Sequence, residues 1–331
     1  MLGSTAAGNM TVSAPASLSF PGSETGTSNG VNAGTYTVGE TGGPGTYDGP
    51  SYPTTALPQG VQQNDCNASG QVTLTIGQTK HCVLRNDDRA PKLTLVKEVV
   101  NDNGGTAMAA DWTLTASGPD GFSGAGPSVS SGASFDQGTY NLSESGPDGY
   151  TAGDWECTGD SQEGSSVDVG LGDDITCTIT NDDTPPKLTL VKEVVNDDGG
   201  IALPAAWTLT ASGPEGFSGV GPSVSSDSGF DQGTYDLSES GPTGYEASDW
   251  SCDGEGEGQS QVDGDTVDVG LGDDITCTIT NDDEPATLIV IKNVVNDNGG
   301  NAVAGDFQMT IEGVTADGGN SFPGAAAPGT S

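Results

Sequence analysis

Basic residues are nearly absent from this chain. Eight Lys and Arg stand against 47 Asp and Glu among 331 residues, a formal charge of −39. Binding a nucleic-acid backbone needs a basic footprint, so nucleic acid is excluded as a partner. An anionic membrane surface is disfavoured for the same reason, and no apolar run is long enough to span a bilayer. Histidine occurs once, at His81. A Ser/His/Asp or Cys/His site repeated along the chain is therefore excluded, and we expect no enzyme and no cofactor. Aromatic residues make up only 5%, too few for an aromatic-rich binding loop. The opening "MLGSTAAGNM" has neither the basic start nor the apolar stretch of a secretory leader.

Glycine, serine and threonine are plentiful, and the apolar residues among them alternate with a period of two. That pattern reads as β-strands joined by polar turns. The strands repeat. "KLTLVKEVVNDNGG" from Lys92 returns as "KLTLVKEVVNDDGG" from Lys187 and, loosened, as "TLIVIKNVVNDNGG" from Thr287. "WTLTASGP" occurs at Trp112 and Trp207, and "GTYNLSESGPDGY" from Gly138 matches "GTYDLSESGPTGY" from Gly233. "VDVGLGDDITCTITNDD" occurs at Val167 and again, letter for letter, at Val267. A diverged N-terminal copy holds "GTYTVGETGGPGTY" from Gly34 and "VTLTIGQTKHCVLRNDD" from Val72, with nothing that matches the first strand.

This divides the chain into four parts. Residues 1–88 form an N-terminal β-sandwich lacking its first strand. Residues 91–183 and 187–283 are complete β-sandwich repeats. Residues 286–331 are a partial repeat holding the first two strands. The linkers "DDRAPK", "DDTPPK" and "DDEPAT" are short and carry proline, which fixes φ and stiffens them. The expected fold is all-β: tandem Ig-like β-sandwiches in a rod.

The cysteines fall in pairs inside single copies: Cys66 with Cys82, Cys157 with Cys177, Cys252 with Cys277. Neither clustered histidines nor Cys-x-x-Cys spacing accompanies them, so disulfides and an oxidising, extracellular compartment are expected rather than a metal. "NDNGG" and "NDDGG" read as turns rather than calcium loops. "GLGDD" reads as a hairpin turn. The segment Gly118–Phe135 is too rich in Gly, Ser and Pro for a long strand and reads as a surface loop. Sequons at Asn9, Asn67 and Asn141 are candidate glycan carriers.

The recurrent lysine is the sharpest feature. Residues two apart share a strand face, so Leu93, Leu95, Lys97 and Val99 face one way. The apolar company makes that side the core. A buried lysine costs free energy unless paired or neutral. The same parity argument turns Glu144 inward with Tyr140 and Leu142, and Asn181 inward with Ile175, Cys177 and Ile179. The next repeat supplies Lys192, Glu239 and Asn281. The N-terminal copy supplies Glu40 and Asn86 without a lysine.

A lysine near the end of the first strand, a "Y-x-L-x-E" block followed by "P-x-G-Y", and an asparagine closing the last strand resemble the prealbumin-like, Cna B-type domains of Gram-positive pilins and adhesin stalks, in the SpaA-like form. The resemblance covers both full repeats and, partly, both ends. It implies that Lys97 and Asn181, and likewise Lys192 and Asn281, can join as an intramolecular isopeptide bond assisted by Glu144 or Glu239. Burial favours a neutral, nucleophilic amine, and the acid would polarise the amide and carry the proton as ammonia leaves. A plain buried ion pair, or a lysine reaching solvent along its stem, is the alternative.

The expected function is a structural subunit or segment of an extracellular, pilus-like filament, with copies of itself as head-to-tail partners. The stalk of a ligand-binding surface adhesin is the alternative. The strand bearing Leu288, Val290, Lys292 and Val294 could complete a neighbour's N-terminal copy by strand addition, bringing Lys292 to Glu40 and Asn86. The ends also read as a window cut from a longer repeat protein.

Overall fold

The computed structural model describes residues 18–159, 162–255, 264–311 and 321–323, with backbone alone for 255 and 321–323. Two compact units divide the chain: 1–100 with 106–182, and 101–105 with 183–331.

In the N-terminal copy, β1 (Gly34–Thr37), β2 (Tyr47–Ser51), β3 (Gln71–Leu74) and β4 (Arg85–Asp88) form two small antiparallel sheets, β1 with β3 and β2 with β4. The first full repeat follows. Its strands are β5 (Lys92–Val100), β6 (Thr113–Ser117), β7 (Phe122–Ala125), β8 (Ser128–Ser130), β9 (Gly138–Ser145), β10 (Tyr150–Ala152), β11 (Glu156–Cys157), β12 (Gln162–Glu163), β13 (Ser166–Val169) and β14 (Asp174–Asp183). One sheet has the order β10-β14-β5-β8, with β11 also on β14; the other runs β12-β13-β9-β6-β7.

The second full repeat has β15 (Lys187–Val195), β16 (Thr208–Ser212), β17 (Phe217–Val220), β18 (Ser223–Ser225), β19 (Gly233–Ser240), β20 (Tyr245–Ala247), β21 (Ser251–Glu255), β22 (Thr266–Val269) and β23 (Asp274–Asp283). Its sheets are β18-β15-β23-β20, with β21 on β23, and β17-β16-β19-β22. At the C-terminal end, among the described residues, β24 (Gln308–Thr310) pairs with β25 (Ser321–Pro323).

Alternation builds both sandwiches. Along β5, Leu93, Leu95 and Lys97 are buried, and along β14, Ile175, Cys177, Ile179 and Asn181 are. Leu114, Tyr140, Leu142, Val167 and Val169 line the facing sheet and complete the core. The second repeat rebuilds this core with Leu188, Leu190, Leu209, Tyr235, Leu237, Val267 and Ile275. Each buried aliphatic or aromatic side chain contributes roughly 1.5–3 kcal/mol relative to exposure.

First and last strands lie side by side in parallel, Lys92 opposite Asp174 through to Val100 opposite Asp182. The chain therefore enters a repeat at one end of this pair and leaves at the other. β15 and β23 have the same register, Lys187 opposite Asp274 and Val195 opposite Asp282.

Two turn expectations are corrected. "GLGDD" joins β13 in one sheet to β14 in the other, so it is a crossover between layers and not a hairpin. The Gly118–Phe135 segment is not simply a surface loop: it holds β7 and β8, one in each sheet, and Phe135 is buried. Its composition misleads because each strand is short and several of its glycines, Gly118, Gly124 and Gly126 among them, sit where side chains have no room. A Cβ on Gly124 would overlap Val129.

The N-terminal copy keeps the register of the full repeats in miniature. Gly34 opposes Leu74 and Tyr36 opposes Val72, as Gly138 opposes Val169 and Tyr140 opposes Val167. The Tyr36 hydroxyl donates to the Asn32 carbonyl, as Tyr140 does to Asp136 and Tyr235 to Asp231.

The third copy of the opening strand, expected from its match to the first two, is not a strand. Residues 287–295 have no ladder partner among the described residues, and Leu288, Ile289, Ile291 and Val295 are largely exposed. An apolar repeat segment alone does not fix a strand; β5 and β15 are each held by a last strand on one side and a short strand on the other.

Candidate functional site

Parity and parallel register place the recurrent lysine. Lys97 lies opposite Ile179, so Asn181 stands two residues further along β14 on the same inward face. Glu144 faces them from the other sheet, on β9 opposite Leu114 of β6. The Lys97 side chain is fully buried, and its Nζ is 2.9 Å from Glu144 Oε2. Asn181 Oδ1 is buried with no hydrogen-bond partner.

The second repeat is tighter. Lys192 Nζ is 3.1 Å from Glu239 Oε2 and donates to Asn281 Oδ1 at 2.5 Å. A further contact runs from Lys192 Nζ to the Ile279 carbonyl, at 3.4 Å. Amine, amide and acid therefore converge in one buried site between the sheets.

An aromatic floor supports each lysine, which sequence parity did not reveal. Trp112 and Trp207 are buried, and the lysine Nζ atoms lie 4.8 and 5.0 Å from their ring centroids. Tyr150 and Tyr245 pack edge-on against these indoles. Burial lowers the lysine pKa in both repeats, while the hydrogen bond and negative charge of Glu144 or Glu239 oppose that shift.

A second missed residue closes the last strand. Asp283 takes the backbone N–H groups of Asp197, Asp198 and Gly200 on its two carboxylate oxygens. Asp183 does the same for Asp102, Asn103 and Gly105. The "NDDGG" stretch is thus a turn anchored by an acid. Asp197, Asp282 and Asp283 gather in one place, but the oxygens of Asp283 are already occupied by the backbone.

The three disulfides have the expected pairing. Cys157 and Cys177 are directly opposed on β11 and β14, and Cys252 and Cys277 on β21 and β23. Cys66 and Cys82 pair in the N-terminal copy. Beside that bond, burial works to raise the Asp65 pKa, but the His81 backbone N–H, Gln63 and Lys80 together hold it below its ordinary value.

Other candidates are dispersed. Glu40 and Asn86 are exposed. Lys292 sits over the Phe307 ring at 4.3 Å. Leu288 and Val290 are exposed, and Val294 is half-buried. Asn67 is exposed, its side chain accepting from the Ser69 and Gln71 N–H groups. Asn141 is exposed on β9, and Asn9 lies outside the described residues.

Comparison with solved structures finds similarity to several bacterial proteins. The Bacillus anthracis TIE protein is 15% identical over 61% of this chain and 38% of its own, with a TM-score of 0.36. The chain thus spans well under half the length of that protein. A major pilin protein from Streptococcus pyogenes is 17% identical over 60% of this chain and 99% of its own, with a TM-score of 0.32. A C-terminal fragment of the pilus adhesin SpaC from Lactobacillus rhamnosus GG is 15% identical over 60% and 99%, with a TM-score of 0.30. No curated protein sequence matches. The model of the prealbumin-like fold domain matches residues 88–179, 183–279 and 283–331. These matches take in both full repeats and the partial repeat, and the chain belongs to the SpaA-type family of prealbumin-like fold domains.

Proposed function

We propose that the chain is a structural segment of an extracellular pilus-like fibre whose repeats staple their own first and last strands. One observation carries this reading: Lys192, Asn281 and Glu239 converge on the two parallel strands by which the chain enters and leaves the repeat. Tension along the chain would shear that strand pair. A covalent tie between the strands carries the load past the hydrogen bonds.

The chemistry balances within the chain. The neutral Lys192 amine attacks Asn281 Cγ and forms a C–N bond. Glu239 accepts the proton from Nζ and passes it to Nδ2, which leaves as ammonia. Lys97, Asn181 and Glu144 would do the same in the first full repeat. This is one event per repeat, not turnover. Disulfides opposite the same last strands fit an oxidising extracellular location. No helix among the described residues is long and apolar enough to cross a membrane.

Intact mass after reduction and deglycosylation tests the reading. The expected result is loss of one ammonia per full repeat, with Lys97–Asn181 and Lys192–Asn281 cross-linked peptides. An unshifted mass removes the staples and leaves buried ion pairs.

Contacts between copies form a finer part of the proposal. The exposed apolar segment 287–295 needs a strand partner, and β4 pairs on one side only among the described residues. Addition of this segment to β4 of a second copy would bring Lys292 towards Asn86 and Glu40. Cross-linked Lys292–Asn86 peptides in assembled material are the expected sign. Their absence from assembled material sets this contact aside without touching the staples.

A further inference from the structure

We propose that Asp283 is a positioning residue for the Lys192–Asn281 reaction, locking the ends of β15 and β23 together so that amine and amide meet in register. The inference rests on the isopeptide reading above and deepens it.

The two reacting residues lie on adjacent parallel strands, and a parallel pair has no hairpin to fix its register. Something must pin it near the reactive end. Asn281 is two residues before Asp283 on the same face of β23. Past Val195 the chain turns, and the turn aims the N–H groups of Asp197, Asp198 and Gly200 at the Asp283 carboxylate at 2.5 to 3.1 Å. A slip of either strand would break all of these bonds together.

The sequence is shaped for this contact. Gly199 has φ +99°, a conformation side chains rarely adopt, and a Cβ on Gly200 would collide with Tyr245 Oη, Asn196 Oδ1 and Asp283 itself. Tyr245 donates to Asn196 Oδ1, accepts from the Ala202 N–H, and packs edge-on against Trp207, the indole beneath Lys192. The clamp thus reaches both the strand end and the floor of the site.

Its electrostatic surroundings are acidic. Burial, then the charges of Asp197, Asp283 and Asp282 around the same turn, raise the Asp198 pKa. The Asp283 carboxyl is nonetheless held below its ordinary value, chiefly by the Asp198 backbone N–H, with those of Gly200 and Asp197 adding to it. Backbone donors satisfy this charge.

The test is Asp283→Asn in the full chain. Its amide would turn an N–H₂ group against backbone donors. After cell-free synthesis, the Lys192–Asn281 cross-linked peptide is followed over time by mass spectrometry at several pH values. The Lys97–Asn181 peptide of the same molecules is the internal control, and the Cys252–Cys277 disulfide reports folding. The expected result is a Lys192–Asn281 rate about 10- to 100-fold lower, with an unmoved pH midpoint and an unchanged control. A wild-type rate overturns the inference. So does a raised midpoint with full rate at high pH, because Asp283 would then keep the site dry rather than aligned. Should the disulfide fail to form, Asp283→Glu takes its place, with slowing again expected and a wild-type rate again fatal. If the unmodified chain forms neither cross-link, the isopeptide reading falls and the inference falls with it. That outcome is distinct from a cross-link that forms normally without Asp283.

Discussion

At the scale of the residue, the buried lysine decides how the repeats respond to pH. Burial lowers the pKa of Lys97 and Lys192 below 10.5, with Glu144 and Glu239 opposing. Between the lowered folded value and 10.5, the unfolded chain binds more protons than the folded one. Stability therefore rises with pH across that window, as the folded state sheds a charge that is costly to bury. A chain carrying Asn181→Ala and Asn281→Ala keeps both lysines as free amines. Its denaturation midpoint is expected to rise as the pH approaches 10.5. Adding Lys97→Met and Lys192→Met should abolish that rise. The stapled chain should lack it as well, because an amide nitrogen does not titrate there. A rise of the same size in all three chains would assign the effect to other groups. Lysine, acid and amide were all legible in the sequence, because strand parity turns each inward. Trp207 was not legible as the floor under Lys192, because it precedes its strand and parity does not govern it. Asp283 was missed because its partners are backbone N–H groups of a turn, and sequence does not show which side chain a turn faces.

At the scale of the element, the last strand bears most of the ties. β23 pairs with β15 on one side and with β20 and β21 on the other, and it carries Cys277, Asn281 and Asp283 on its inward face. The Cys252–Cys277 bond closes a separation of 25 residues. A loop of that order stabilises by about 3 kcal/mol through the unfolded state. Replacing both cysteines by alanine should lower the second repeat by about that amount. Faster hydrogen exchange across β21 and β23, with β5 and β14 unchanged, would report it. Equal loosening of both full repeats would mean that they do not unfold separately. Strand positions could be read from alternation, and the cysteine pairs from their place within repeats. The parallel pairing of β15 with β23 could not, since alternation fixes a face and leaves the neighbour open. The same gap explains residues 287–295, where the repeat sequence is present and the ladder is missing.

At the scale of the whole molecule, charge is the dominant property. With 47 acidic and eight basic residues, like-charge pairs greatly outnumber attractive ones. The exposed pairs Lys92–Asp174 and Lys187–Asp274, at 3.6 and 3.3 Å, sit in solvent, where such contacts contribute little. The buried pairs Lys97–Glu144 and Lys192–Glu239 are shielded from added ions. Screening therefore acts mainly on repulsion, over about 10 Å at 0.1 M salt. Such repulsion opposes the compact state. The denaturation midpoint should rise as sodium chloride is raised from a few millimolar to physiological strength, with the larger part of the gain at the low end. A protein held by surface ion pairs would show the reverse. A falling midpoint here would mean that the few basic residues outweigh the repulsion, and would move the source of stability from the core and its ties to the surface.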